Sequence, residues 1–155
     1  MTRFEAIGAM AALAAQTRKE TMTLSAHGEF EVKMVPQPQD DSGQNVKLGR
    51  LTLDKVFHGE LDGTAKGQML TGMTDTKGSA GYVAIEHVIG TLHGRAGAFT
   101  LQHSGTADRN VQNLVITVVP DSGTGKLIGL SGKMEIKVEG GKHFYDFHYS
   151  IAGTD

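Results

Sequence analysis

Gly59-Glu60-Leu61-Asp62-Gly63, Gly90-Thr91-Leu92-His93-Gly94 and Gly125-Lys126-Leu127-Ile128-Gly129 spell one pattern three times, Gly-x-Leu-x-Gly. Each copy adjoins a strand-like run. Glycine accepts the positive φ of hairpin turns and bulges and lets two backbones approach closely. A leucine held between two such hinges reads as a strand end pinned to a core. The pattern predicts a curved, repeatedly folded antiparallel β structure that closes into a barrel.

The flanking sequence supplies the strands. Phe30, Val32 and Met34 alternate with Glu29, Glu31 and Lys33, a half-buried strand that starts at Leu24 and is ended by Pro36 and Pro38. Residues 39–47 are polar and read as a long exposed loop. Strands follow over 48–61, with Leu51 and Leu53 on one face, and over 66–74. After a turn at 75–81, residues 82–92 form a long strand, apolar on both faces. Residues 93–97 read as a five-residue turn into a strand at 98–104. Asp108-Arg109-Asn110 turns the chain into 111–119, which Pro120 stops. Residues 133–139 alternate, with Met134, Ile136 and Val138 facing in, Gly140-Gly141 turns, and 143–151 completes the set. Eight strands joined mostly by short turns predict an all-β, eight-stranded antiparallel up-and-down barrel, because closure removes both sticky edges.

Residues 1–21 are an Ala-rich extension and 22–155 the barrel domain. Thr2 and Glu5 have capping-box spacing, and Phe4, Ile7, Met10 and Leu13 form a narrow apolar stripe. Arg18 and Lys19 suit the carboxyl end of a helix dipole. An N-terminal α-helix is the reading; a secretory leader, or an extended start ahead of Met22, stays open beside it.

Composition narrows function. With 155 residues the chain can bury one sizeable core. Glycine numbers 21 against 3 prolines, which fits tight turns and not a disordered linker. Lys+Arg at 15 against Asp+Glu at 17 supplies no basic stripe for nucleic acid and no attraction to an anionic membrane. No apolar run reaches the ~20 residues of a spanning helix, so a cytoplasmic protein is expected. Absence of cysteine excludes disulfides, thiolate catalysis and Cys–zinc sites. Gly123-Thr124-Gly125-Lys126-Leu127 lacks the phosphate loop's leading glycine, where Pro120 stands, and its hydroxyl, where Leu127 stands. Ser104 and the serine of Asp121-Ser122-Gly123 have no nucleophile elbow. His143 and His148 would point to opposite faces of a strand, so no metal and no cofactor is expected.

One hairpin yields a constellation. Pairing Leu92 with Phe99 sets Gly90 against Leu101 and Val88 against His103. Paired residues share a face, so Tyr82, Ala84, Glu86, Val88, Leu92, Phe99, Leu101 and His103 all point one way, toward an apolar interior. Glu86 and His103 become diagonal neighbours about 7–8 Å apart at Cα. A carboxylate beside an imidazole in an apolar barrel is a usable acid–base pair; the alternative is that the two merely satisfy each other. Tyr145 and Tyr149 share a face of the last strand and could offer phenols to a ligand or simply belong to the core. Val83, Ile85 and Ile89 point outward and call for cover by the Ala-rich helix or by another subunit.

These residues also carry a resemblance. Tyr82-Val83-Ala84-Ile85-Glu86-His87-Val88-Ile89-Gly90-Thr91-Leu92-His93-Gly94, continuing through Phe99-Thr100-Leu101-Gln102-His103-Ser104-Gly105-Thr106, resembles the central signature of a bacterial domain-of-unknown-function family. Val118-Val119-Pro120-Asp121-Ser122-Gly123-Thr124-Gly125-Lys126-Leu127 and Gly129-Leu130-Ser131-Gly132 resemble its second signature. Gly28-Glu29-Phe30-Glu31-Val32 and Phe57-His58-Gly59-Glu60-Leu61-Asp62-Gly63 match as well. The resemblance spans roughly 24–151 and implies an allene oxide cyclase-like barrel with an interior cavity. It transfers no activity, since no cyclase-specific motif is present.

The function expected is binding of a small apolar molecule inside the barrel, extending to a cofactor-free isomerisation or cyclisation with Glu86 and His103 as the catalytic pair. Tyr82, Phe99, Leu101, Tyr145 and Tyr149 are the candidate ligand-binding residues. The alternative is a non-catalytic carrier, or a structural barrel module that assembles as a homo-oligomer.

Overall fold

Period-two patterning sets the strands, and the computed structural model describes residues 21–38 and 47–153. In chain order the strands are β1 (Leu24–Pro36), β2 (Leu48–Gly59), β3 (Leu61–Met73), β4 (Ala80–Leu92), β5 (Arg95–Asp108), β6 (Val111–Val118), β7 (Leu130–Glu139) and β8 (Lys142–Ile151). A 3-10 turn, Gly125–Leu127, lies between β6 and β7. Each strand pairs antiparallel with the next. β1 also pairs with β8, Leu24 opposite Tyr149 and Phe30 opposite His143, so the sheet closes into a barrel. The helix expected in the N-terminal extension lies outside the described residues.

Inward side chains of one parity fill the barrel. On β4, Ala84, Glu86, Val88 and Leu92 are buried, whereas Val83, Ile85 and Ile89 stand half-exposed on the outer wall. Phe57, Phe99, Phe147, Tyr145 and Tyr149 are fully buried. Phe99 stacks on Phe147 at 5.7 Å between centroids, and Phe57 meets Tyr145 edge-on at 5.6 Å. Aromatic rings therefore occupy the space at this end that an enclosed lumen would need. The leucines of the repeated motif, Leu61, Leu92 and Leu127, are each fully buried at this filled end. Leu61 is registered to Leu92, and Leu127 packs on Gly97. At the opposite end the inward parity runs into solvent: Met34 is 51% and Val138 62% exposed. That end is the mouth.

Three hairpins turn on two residues with positive φ: His93-Gly94 (45° and 76°), Arg109-Asn110 (47° and 70°) and Gly140-Gly141 (59° and 77°). Two left-handed central residues give the turn twist that matches paired strands. The first of these corrects the five-residue turn expected over 93–97. His93 is an unusual occupant of the left-handed region, and its ring is held there by Tyr149 and Glu60. The register moves with the turn: Leu92 opposes Arg95, not Phe99, and His103 opposes Ala84, not Val88. β3 likewise begins at Leu61, well ahead of the expected residue 66. Near its start Gly63, Thr64 and Ala65 are small, and Gly63 fits directly against the backbone of Ile89 and Gly90.

One joint of the ring is thin. β6 and β7 share a single pair, Thr117 opposite Lys133. Beyond β6 the chain crosses back over the edge of β5, where Val119 N–H donates to Thr100 O (2.9 Å) and Thr124 N–H to Ala98 O (2.8 Å).

Candidate functional site

The corrected register still joins the expected pair. Ala84 opposes His103 and Glu86 opposes Leu101, so Glu86 and His103 are diagonal neighbours on the inner face. Across β3, Gly67 opposes Glu86, and a Cβ at Gly67 would lie 2.7 Å from the Glu86 Cβ. Absence of a side chain there lets the Glu86 carboxylate occupy the interior between β5 and β2. Lys55, on the inward parity of β2 after Leu51 and Leu53, meets it.

The three groups form one buried cluster, with Lys55 6%, Glu86 0% and His103 3% exposed. His103 Nε2 and Glu86 Oε1 are 3.0 Å apart. Lys55 Nζ lies 3.0 Å from Oε1 in hydrogen-bonding geometry and 2.9 Å from Oε2. The second contact is an ion pair without hydrogen-bond alignment, which leaves Oε2 with no directional partner. The Lys55 ammonium also sits 4.8 Å from the centroid of the Phe30 ring and 5.8 Å from that of Phe57, so quadrupoles supplement the carboxylate. Burial alone pushes the Glu86 carboxyl up; the His103 hydrogen bond and the Lys55 charge outweigh it and hold the group below the usual carboxylate range.

Chemistry follows from the donor assignment. A carboxylate only accepts, so His103 donates through Nε2–H and, when neutral, keeps its lone pair on Nδ1. Glu86 orients this ring, and Lys55 keeps Glu86 charged. Just beyond the cluster, Tyr82 opposes Gly105 on the next inward rung toward the mouth. The Tyr82 ring lies over that glycine, where a Cβ would fall 2.3 Å from Cε1. The Tyr82 and His103 ring centroids are 6.5 Å apart. Above Tyr82 opens a mostly apolar cleft of about 240 Å³, bordered by Met69, Met73, Ala107 and Leu114. A second cleft of about 330 Å³ lies beside Phe30, Val32 and His143.

Glu86, His103, Leu101 and Tyr82 are thus brought together. Phe99 lies deeper in the core, stacked on Phe147. Tyr145 and Tyr149 are held at the filled end, away from the cluster. Tyr145 Oη accepts from Leu61 N–H (2.9 Å) and faces the carbonyls of Leu61 and His58. The Tyr149 hydroxyl bonds His93, whose Nε2 is 3.5 Å from Glu60 Oε1; Glu60 Oε2 in turn accepts from His27 N–H at 2.7 Å. Sequence reasoning missed Lys55, although a lysine at the inward position of Leu51-x-Leu53-x-Lys55-x-Phe57 was a readable signal. The loop motifs set aside as decoys serve the fold. Ser122 Oγ and Thr124 Oγ1 accept from Thr100 N–H (3.1 Å) and Ala98 N–H (3.0 Å), satisfying the β5 edge that β6 leaves uncovered.

Fold and site together define a small antiparallel barrel with a buried Lys–Glu–His cluster beneath an apolar mouth. The chain belongs to the DUF3224 family, a family of proteins of unknown function, whose model matches residues 26–149. It is similar to the crystal structure of a protein of unknown function from the same family in Shewanella oneidensis MR-1. That similarity is 47% identity over 84% of this chain and 98% of the other, with a TM-score of 0.80. No curated protein matches the chain. Among the described residues no helix is long and apolar enough to cross a membrane.

Proposed function

We propose that this barrel binds a small, mostly apolar molecule at its mouth and isomerises or cyclises it without a cofactor. The observation that carries the reading is the position of the Lys55–Glu86–His103 cluster, whose His103 stands one inward rung below the cleft at Tyr82. A protein gains nothing in stability from burying three ionisable groups that apolar residues could replace. An apolar pocket with a few convergent polar groups is the usual form of a small-molecule site.

The cleft can be read selectively because the chain has no tryptophan. Leu114→Trp, at a partly exposed position on its wall, makes all indole emission report on the mouth. Titration with a graded panel of cycloalkyl and naphthyl compounds is expected to shift that emission saturably for some members. A panel without a single saturable shift sinks the reading. A second reading, a barrel that serves only as a structural module, draws on the packed rings of Phe57, Phe99 and Phe147, and it would then stand.

A further inference from the structure

The chain has three tyrosines, and their hydroxyls are not equivalent. Those of Tyr145 and Tyr149 are tied to Leu61, His58 and His93. The Tyr82 hydroxyl makes no hydrogen bond among the described residues, and its ring borders the cleft. One rung below, His103 has its Nε2–H committed to Glu86, while Nδ1 is likewise unbonded among the described residues. Among the described residues, the buried side-chain atoms left without a hydrogen bond are Arg50 Nε and Glu86 Oε2. Nδ1 is not one of them, and the His103 side chain keeps 4% of its surface accessible. An O–H donor and an imidazole lone pair, both unbonded among the described residues, therefore stand on adjacent rungs beside a mostly apolar cleft.

We propose that the mouth takes an enolisable carbonyl compound, an apolar ketone with an acidic α C–H, and that Tyr82 and His103 interconvert its keto and enol forms. The inference rests on the reading of the mouth as a small-molecule site and supplies the substrate class. His103 Nδ1 takes the α proton. The C–H bonding pair becomes the C=C bond of the enolate, and the carbonyl π pair moves onto oxygen, where the Tyr82 O–H donates to it. Return of the proton from Nδ1 to the same carbon exchanges it; return to a conjugated carbon isomerises the ketone. No electron is gained or lost, so no redox partner is needed. Glu86 and Lys55 are positioning residues: the first fixes the imidazole tautomer and stabilises the imidazolium, and the second keeps the first ionised. Burial, and after it the Glu86 charge, raise the Tyr82 phenol above its ordinary range, so it stays a donor.

The probe is 2-tetralone in D₂O with the full-length protein. Binding is read by saturation-transfer NMR and α-proton exchange by loss of the proton signal. Exchange is expected to exceed the rate in buffer by roughly 10²–10⁴-fold, the usual reach of a positioned acid–base group. It should fall to the buffer rate in His103→Ala and drop at least about tenfold in Tyr82→Phe, which removes a hydroxyl bonded to nothing among the described residues. Added imidazole should restore exchange in His103→Ala, a rescue that a merely structural role would not give. Tetralone that binds without accelerated exchange, or exchange unchanged in Tyr82→Phe, overturns the carbonyl chemistry and leaves the binding site standing. Tetralone that does not bind at all overturns this substrate class, and the reading of the mouth is then judged by the indole titration alone.

Discussion

Lys55 holds a charge inside a wall of phenylalanine, and Glu86 is the reason it can. Removing one member of a buried ion pair strands the other, at a cost of about 3–5 kcal/mol, whereas replacing both with apolar groups of similar volume is often neutral. Lys55→Met is accordingly expected to lose about that much stability in urea unfolding, and Lys55→Met with Glu86→Leu to recover most of it. A double variant no more stable than Lys55→Met would show that His103 and not Lys55 sustains the carboxylate. The pH dependence has a definite sign. The folded Glu86 carboxyl titrates below its unfolded value, so its contribution is complete above the ordinary glutamate range near ~4.3 and disappears as pH falls through the lower folded value. A profile of Tm against pH should show that acid-side loss in the parent chain, and a shallower slope in Glu86→Gln, which has nothing there to protonate. The pairing of Glu86 with His103 was legible in sequence despite a wrong register. The error was four residues, an even number, which preserved the inward parity and moved His103 from one diagonal of Glu86 to the other. The inward parity of Lys55 was legible, but its meeting with Glu86 was not, because it comes from a strand not adjacent to either partner and reaches the carboxylate across β3.

At the scale of the strands, two features govern how the site is held. Gly67 gives up its side chain so that Glu86 can lie across β3. A Cβ there would also fall 2.4 Å from the Ile85 carbonyl oxygen, which belongs to rigid backbone. Gly67→Ala should therefore cost about 1–3 kcal/mol of stability, as overpacking does. Its mark beyond stability should be a disturbed His103 ring, visible as a shifted imidazole resonance. The second feature is the single pair between β6 and β7. Among the described residues, 111–115 have β5 on one side and no ladder on the other, so their amides turned away from β5 are expected to exchange with solvent much faster than those in the β4–β5 ladder. Protection equal in both places would mean that the seam is closed in solution. Strand order and most boundaries could be read from period-two patterning. Register could not, because it depended on His93 adopting a left-handed turn conformation that only its contacts with Tyr149 and Glu60, distant in sequence, make favourable.

Over the whole molecule, the ends of the barrel divide the labour. The filled end carries the aromatic stack and the three motif leucines, so truncations there should act on stability: Phe147→Ala is expected to cost about 3–5 kcal/mol while leaving the spectrum of a cleft-bound probe in the Leu114→Trp variant unchanged. The reverse pattern, an altered probe spectrum with little loss of stability, would place the binding volume in the interior. The glycine–leucine motif made the ring legible because it marks where strands end and where the core is pinned. The degree of filling was not legible, since how far rings interdigitate depends on shear and tilt that no local pattern encodes. The thin β6–β7 joint has a consequence for what can be admitted. Along residues 111–115 the wall has, among the described residues, a border without a ladder, so splaying there would break no strand pairing. The calibre of the opening is then elastic, and the bulk of an acceptable guest is limited by the stiffness of one unstitched border and not by the number of staves in the cask.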